Sequence, residues 1–129
     1  LYIGKNIDTT EFRDGVEFYP VEIMNGENVT DGSTGFGIQP RTSIGQSEDG
    51  DVMLVTIDGR QIVYSLGATV GDCAEIFLRY GGVQACNVDG GSSTVMYYRG
   101  EYITKPANGI KFGRYLPNAI LVLPSSGEN

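Results

Sequence analysis

Residues 87–94 carry the densest group of side chains that could do chemistry, in the order Asn-Val-Asp-Gly-Gly-Ser-Ser-Thr. Adjacent glycines permit backbone conformations that other residues rarely adopt, and they let a ligand approach the main chain closely. Such a turn can offer N–H groups and hydroxyls to an anion, and it can hold the carboxylate of Asp89 in a fixed geometry. The alternative is a purely structural Gly-Gly turn with an Asx cap.

Three arginines are candidates for recognition of a phosphate or a carboxylate, because a guanidinium group binds either anion in a bidentate manner. Arg41 is followed by the hydroxyl residue Thr42 and a serine, and Arg60 follows Asp58 and a glycine. Arg114 is the third candidate. The alternatives are arginines that are simply solvated at a strand edge and, for Asp58, an ordinary Asp-Gly turn.

The composition excludes several classes of protein. The 129 residues contain no histidine, which rules out Ser-His-Asp catalysis, Cys-His catalysis and histidine-ligated metals. Sixteen acidic against nine basic residues give a net charge of −7, which argues against a nucleic-acid partner. No apolar run approaches the roughly 20 residues of a membrane span. Cys73 and Cys86 are too few for a structural zinc site. They are expected to be small buried residues, although a disulfide between them is an alternative.

Helical signals are concentrated in one segment. Apolar residues recur at helical spacing over residues 70–80, and Thr69 with Asp72 three positions later forms a capping-box pattern. Two glycines follow at residues 81 and 82 and predict the helix end. A second, short helical turn is predicted near the N-terminus at residues 8–15.

The other segments predict a sheet. Asn25-Gly26 is a pair favoured in hairpin turns, and Asp58-Gly59 is typical of a type I′ turn. The run at residues 52–57 is nearly all apolar, which predicts a central strand covered on both faces. Alternation and apolar runs predict strands at residues 16–20, 21–24, 41–46, 52–57, 61–64, 83–88, 94–98, 101–104 and 118–123.

The order of strands, helix and further strands indicates an α+β domain with one mixed, mostly β sheet and one main helix. The length suits a single domain, which we expect at residues 1–124, followed by a polar tail at residues 125–129. Residues 28–37 are rich in Gly, Ser and Thr. They predict a mobile loop, which is either a lid or a disordered segment.

Taken together and in order, the motifs resemble the phosphodiester glycosidase family, the domain type of N-acetylglucosamine-1-phosphodiester α-N-acetylglucosaminidase. The resemblance covers residues 16–122 and is to the C-terminal part of the family domain. The motifs are Pro-Arg-Thr-Ser-Ile-Gly-Gln at 40–46, Ile-Asp-Gly-Arg at 57–60, Leu-Gly-Ala-Thr at 66–69, the stretch at 87–94, and Arg-Tyr-Leu-Pro-Asn-Ala at 114–119.

This resemblance implies a bacterial hydrolase, exported or at the cell surface, that cleaves the bond between a sugar's anomeric carbon and a phosphate. Glycoside cleavage needs a carboxyl group at an oxocarbenium-like centre. Asp89 is the expected catalytic carboxylate, with Asp58 as its partner. Arg41 and Arg60 are expected to clamp the phosphate. The other residues expected to bind substrate are Thr42, Asn87, Gly90, Gly91, Ser92, Ser93 and Arg114.

The same motifs are compatible with two other interpretations. The same pocket could hold a glycan or a phosphate without breaking a bond, as a binding module does. Alternatively, the chain could be an incomplete fragment that has no activity and self-associates through an exposed sheet edge. No cofactor is expected, and no acidic cluster has the spacing of metal ligands.

Overall fold

A five-stranded antiparallel sheet carries one α-helix on one of its faces. The computed structural model describes residues 1–32, 37–107, 109 and 111–124. In this part of the chain the strand order is β2-β1-β5-β3-β4, and β6 pairs with β7 in a separate hairpin. The elements are β1 (Val21–Met24), β2 (Glu27–Asn28), β3 (Arg41–Ser47), β4 (Val52–Ile57), α1 (Val70–Arg79), β5 (Gly82–Asn87), β6 (Tyr97–Tyr98) and β7 (Glu101–Tyr102).

The predicted α+β class is confirmed, and every described strand pair is antiparallel where the sequence predicted a mixed sheet. Helix α1 forms where its signals predicted it. Thr69 and Asp72 make the reciprocal bonds of a capping box, which satisfy two N–H groups that a helix start leaves unpaired. Beyond its end, Gly81 has a φ of 78°, the left-handed conformation that glycine adopts easily.

The core lies between α1 and the sheet. Ile23 of β1, Ala74 and Phe77 of α1, and Ala85 of β5 are buried together. The ring of Phe77 lies directly on the main chain of β3, because a Cβ at Gly45 would come within 2.7 Å of its Cε1 atom. The close approach of helix and sheet therefore depends on a glycine at this position.

Two predictions about strands and turns near the middle of the chain are wrong. Strand β4 is the last strand of the described sheet and not a central one, and most of its side chains are only half-buried. The segment after it does not return as a strand, since residues 61–65 close a tight turn in which Gln61 and Ser65 bond each other. Val63 is fully exposed there.

The Asp58-Gly59 pair is also not a type I′ turn. The left-handed residue is Arg60, with a φ of 57°. Gly59 is instead packed against main chain, because a Cβ there would lie 2.7 Å from the nitrogen of Pro40. In contrast, the Asn25-Gly26 turn is confirmed, with φ values of 52° and 75° as type I′ requires.

The chain ends contain less regular structure than predicted. Residues 8–12 make one isolated turn, in which Phe12 N–H donates to Thr9 O. The predicted strands at 16–20 and 118–123 are absent, and those at 94–98 and 101–104 shorten to β6 and β7. The predicted lid overlaps residues 33–36 and the predicted tail is residues 125–129, which both lie outside the described residues. No described helix is long and apolar enough to cross a membrane.

Packing at Gly45 yields the first prediction. Gly45→Ala forces a methyl group against Phe77 and the carbonyl of Gln84, so we expect it to lower the free energy of unfolding by about 1–3 kcal/mol. Gly15→Ala is the matched control, because Gly15 has no positive φ and no neighbour within 4 Å. Urea unfolding of both variants measures the difference, and equal midpoints would contradict the close packing of α1 on β3.

Candidate functional site

One end of the sheet gathers the predicted site residues. Strands β4 and β5 finish there, and β1 and β3 begin there, because each neighbouring pair is antiparallel. Arg41 pairs with Ile57 across β3 and β4, and Ser43 pairs with Asn87 across β3 and β5. The sequences that follow Ile57 and Asn87 therefore emerge side by side.

The Gly-Gly turn after β5 lies on the chain that enters β3. Gly91 N–H donates to Pro40 O at 2.8 Å. A Cβ at Gly90 would lie only 2.7 Å from the same carbonyl oxygen, and Gly91 has a φ of 62°. The chain then forms a single 3₁₀ turn at Gly91–Ser93. Both glycines are thus required, one for close approach and the other for its backbone conformation.

Asp89, Ser93 and Arg114 come together on this turn. Arg114 Nη2 donates to Asp89 Oδ2 at 3.1 Å, and Arg114 Nε donates to Ser93 Oγ at 2.9 Å. The side chains of Arg114 and Asp89 are 50% and 53% exposed, so the ion pair faces solvent. The sequence separates Asp89 from Arg114 by 25 positions, and the fold joins them.

A second guanidinium group lies at the same turn. A Cβ at Gly91 would be 3.3 Å from Nη2 of Arg60, so this side chain covers the glycine directly. Arg60 Nε donates to Gln39 Oε1 at 2.8 Å, which fixes the direction of the guanidinium group. Arg60 and Arg114 thus bring two positive charges to the turn that bears Asp89.

Arg41 has a different environment. Its side chain is only 4% exposed. Nε donates to Ala68 O at 2.9 Å, and Nη2 donates to Gly37 O. Arg41 therefore ties the start of β3 to the segments before β3 and before α1. Beside it, Thr42 Oγ1 donates to Thr94 Oγ1 at 3.2 Å and links β3 to the end of the Gly-Gly turn.

The carboxylate of Asp58 holds two segments in place. It accepts from Tyr64 Oη at 3.1 Å and from Lys105 N–H at 2.9 Å. The bond to Asp58 raises the pKa of Tyr64 above its ordinary value. These groups border an open pocket of about 500 Å³, which is lined by Thr56, Ile57, Asp58, Tyr64, Ser65, Ile103 and Thr104.

The predicted site residues thus fall into two sets. The fold brings the exposed residues Asp89, Arg60 and Arg114 to one turn together with the half-buried Gly90, Gly91 and Ser92 and the buried Ser93. Asn87, at the end of β5, is 4% exposed and donates from Nδ2 to Tyr19 O at 2.9 Å. Like Arg41 and Asp58, it is engaged with protein groups.

Sequence reasoning missed Glu22, which is completely buried in β1. Burial raises the pKa of Glu22 to about 8, although the Ser43 hydroxyl and the charge of Arg41 oppose the shift. The available signal was a carboxylate between Val21 and Ile23 inside an apolar run. It also missed Gln39, the hydrogen-bond acceptor that orients Arg60.

Thiol chemistry has no support at this site. Cys73 and Cys86 are free, as expected. Burial, with the nearby charge of Glu22, raises their pKa values to about 12 and about 11 respectively. The described residues contain no group of three His, Cys, Asp or Glu side chains placed to hold a metal ion.

Comparison with known proteins identifies the family. Residues 4–123 match the phosphodiester glycosidase family, so the chain belongs to it. The SPbeta prophage-derived protein YomE of Bacillus subtilis (strain 168) is 39% identical over 72 residues, which are 56% of this chain and 11% of YomE.

Two solved bacterial structures have the same fold. A Burkholderia pseudomallei protein, titled as a candidate exported protein, matches 59% of this chain and 15% of its own with 33% identity and a TM-score of 0.54. A Synechocystis protein matches 74% of this chain and 19% of its own length, with 26% identity and a TM-score of 0.57.

The third structure is the catalytic domain of zebrafish N-acetylglucosamine-1-phosphodiester α-N-acetylglucosaminidase, auto-inhibited by its pro-peptide. It matches 78% of this chain and 38% of its own with a TM-score of 0.59. At 21% identity this likeness shows the fold alone. The chain therefore spans well under half the length of each of these relatives.

The buried position of Arg41 gives a prediction that separates support of the fold from contact with a ligand. Arg41→Lys removes the Nε donor from Ala68 O inside the protein, and we expect the free energy of unfolding to fall by about 1–3 kcal/mol. Arg79→Lys, on the exposed face of α1, is the control and should change stability by less than about 0.5 kcal/mol. Unchanged stability in Arg41→Lys would contradict the anchoring role.

Proposed function

We propose that the protein hydrolyses sugar-1-phosphodiesters, breaking the bond between the anomeric carbon and the phosphate oxygen. The observation that carries the proposal is the exposed carboxylate of Asp89 on a rigid glycine turn, 3.1 Å from Arg114 and beside a second guanidinium, Arg60. One carboxylate with two guanidinium groups suits a reaction that builds positive charge on a sugar and negative charge on a phosphate. Membership of the phosphodiester glycosidase family supports the same chemistry.

In this proposal Arg60 and Arg114 hold the phosphate. As the bond from the anomeric carbon breaks, its electron pair moves to the phosphate oxygen, and positive charges fixed beforehand stabilise the departing anion. Three N–H groups of the turn are already engaged, because those of Gly91, Ser93 and Thr94 donate to main-chain carbonyls. We therefore assign the main recognition of the anion to the two guanidinium groups.

Asp89 acts on the sugar. A carboxylate paired with a guanidinium group accepts hydrogen bonds and protons and does not donate them. We assign Asp89 to the oxocarbenium-like centre, where it stabilises the charge or accepts a proton from the attacking water. The phosphate is a good leaving group, so its departure does not require a strong general acid.

The other predicted site residues divide by exposure. Ser92 is half-buried beside the ion pair and is assigned to contacts with the sugar or phosphate oxygens. Asp58 borders the pocket but accepts from Tyr64 and Lys105, so we assign it to positioning. Arg41 and Asn87, which are 4% exposed, are assigned to support of the turn. The name of one relative describes it as an exported protein. This name favours an exported protein that acts on a cell-surface glycan.

The first test measures release of free sugar from UDP-N-acetylglucosamine and other sugar-1-phosphodiesters by the full-length natural protein. We expect Asp89→Asn to lower kcat by about 10²-fold or more, because the neutral amide neither accepts a proton nor balances an oxocarbenium charge. Asp49→Asn, in the exposed turn after β3, is the control and should retain activity. Full turnover in Asp89→Asn would refute the proposal, and sugar binding without release would identify a binding module.

The second test separates phosphate recognition from sugar recognition. Arg60→Ala should lower kcat/KM for a sugar-1-phosphodiester by about 10²-fold, the scale seen when a preorganised charge-stabilising group is lost. The same variant should leave hydrolysis of a p-nitrophenyl glycoside, which has no phosphate, at its own low rate. Arg99→Ala, in the exposed β6–β7 hairpin, is the matched control. Equal losses on both substrates would place Arg60 outside the phosphate subsite.

A further inference from the structure

The buried carboxyl group of Glu22 lies inside the sheet at a break in its regular pattern. Val21 pairs with Cys86 and Ile23 pairs with Ala85, so β1 has one more residue than β5 at this point. A bulge of this kind interrupts the alternation of side chains between the two faces. Glu22 can therefore project to the side covered by α1, next to the core residue Ile23.

The side chain of Glu22 spans a whole strand. Ser43 Oγ, on β3, donates to Glu22 Oε1 at 2.9 Å. Strands β1 and β3 lie on opposite sides of β5, so a β1 side chain that contacts a β3 side chain must cross β5. Ser43 is directly paired with Asn87 of β5, and directly opposed residues have their side chains on one face. The crossing therefore puts the carboxyl group on the same face of the sheet as the Asn87 side chain.

Two buried oxygen atoms on this face of the sheet have no hydrogen-bond partner among the described residues. They are Oε2 of Glu22 and Oδ1 of Asn87. Both atoms are acceptors when the carboxyl group is ionised, and an acceptor buried without a donor destabilises a protein by about 1–3 kcal/mol. One proton on the carboxyl group would satisfy both atoms at once.

We propose that Glu22 is a positioning residue that is held as the neutral acid and donates its Oε2–H to Oδ1 of Asn87. The hydrogen bonds then form a chain in which each group donates to the next, from Ser43 to Glu22, from Glu22 to Asn87, and from Asn87 Nδ2 to Tyr19 O. Asn87 is two residues before Asp89, so Glu22 acts on the position of the proposed catalytic carboxylate through Asn87. This link to catalysis rests on the proposed function.

The surroundings of Glu22 are consistent with a neutral acid. The ionisable groups that face it are Arg41 from β3, Cys73 from α1 and Cys86 from β5. Arg41 is oriented by bonds to two main-chain carbonyls. The two thiols have pKa values raised to about 12 and about 11, whereas burial raises the pKa of Glu22 to about 8. Of Glu22 and the two thiols, Glu22 has the pKa that lies nearest to neutral pH.

The proton has a consequence for stability that does not depend on activity. Glu22 releases its proton at an ordinary carboxyl pKa in the unfolded chain but only near pH 8 in the folded protein. The folded state therefore binds more protons between these values, and stability is full at acidic pH and falls as pH rises toward about 8. Glu22→Gln should abolish this fall, because its amide still accepts from Ser43 and donates to Asn87.

The test compares three variants with the wild-type full-length protein by urea unfolding from about pH 5 to about pH 8. The wild-type midpoint should fall as pH rises over this range. The midpoint of Glu22→Gln should lack the part of this fall that comes from Glu22. Glu22→Leu, which leaves the Ser43 and Asn87 groups unpaired, should unfold earlier than Glu22→Gln at every pH. Glu75→Gln, an exposed glutamate of α1, should keep the wild-type slope.

Two further readouts complete the experiment. Infrared difference spectroscopy should show the carbonyl band of a protonated carboxylic acid that is absent in Glu22→Gln. Sugar release by the wild type should decline above about pH 8, and Glu22→Gln should restore it there. A wild-type slope in Glu22→Gln, or no protonated-acid band, would overturn the proposal. Absence of sugar release with the expected stability pattern would instead refute the proposed function and leave the neutral acid established.

Discussion

The contact between the carbonyl of Pro40 and the turn after β5 is the constraint on which the site depends. Gly91 N–H donates to this oxygen, and Gly90 leaves no room for a side chain against it. Because Pro40 directly precedes β3, the register of β3 with β5 sets where the turn can lie. The position of Asp89 is therefore fixed by main-chain packing, and the exposed side chains around it add charge to a turn that is already rigid.

Burial gives the three site arginines different roles. Arg41 is buried, and it donates to carbonyl groups of neighbouring segments, so it links separate parts of the chain. Arg60 and Arg114 are exposed, and each has a neutral side chain, Gln39 or Ser93, that accepts from its Nε and fixes its direction. A guanidinium held by one edge can present its other nitrogens to an anion without losing orientation.

Local signals were sufficient for the parts of the fold that are decided locally. The capping box at Thr69 and the Asn25-Gly26 turn concern neighbours within a few residues, and both are as predicted. The prediction that residues 52–57 form a central strand was wrong. An apolar run shows that the side chains are hydrophobic, but it does not show which strands lie beside it. The bulge that turns Glu22 inward arises from pairing with β5, and this pairing leaves no trace in the sequence of β1.

The residue types of the candidate site were predictable from the sequence, but the different roles of those residues were not. Three carboxyl groups lie at or near one end of the sheet, and their donors distinguish them. Asp58 accepts from a tyrosine and a main-chain N–H, so its charge is used within the fold. Glu22 is enclosed where the ionised form is disfavoured. Asp89 alone of the three combines exposure with a guanidinium partner. Environments that separate the charge states of neighbouring carboxyl groups are how a protein assigns acid, base and structural roles to one residue type.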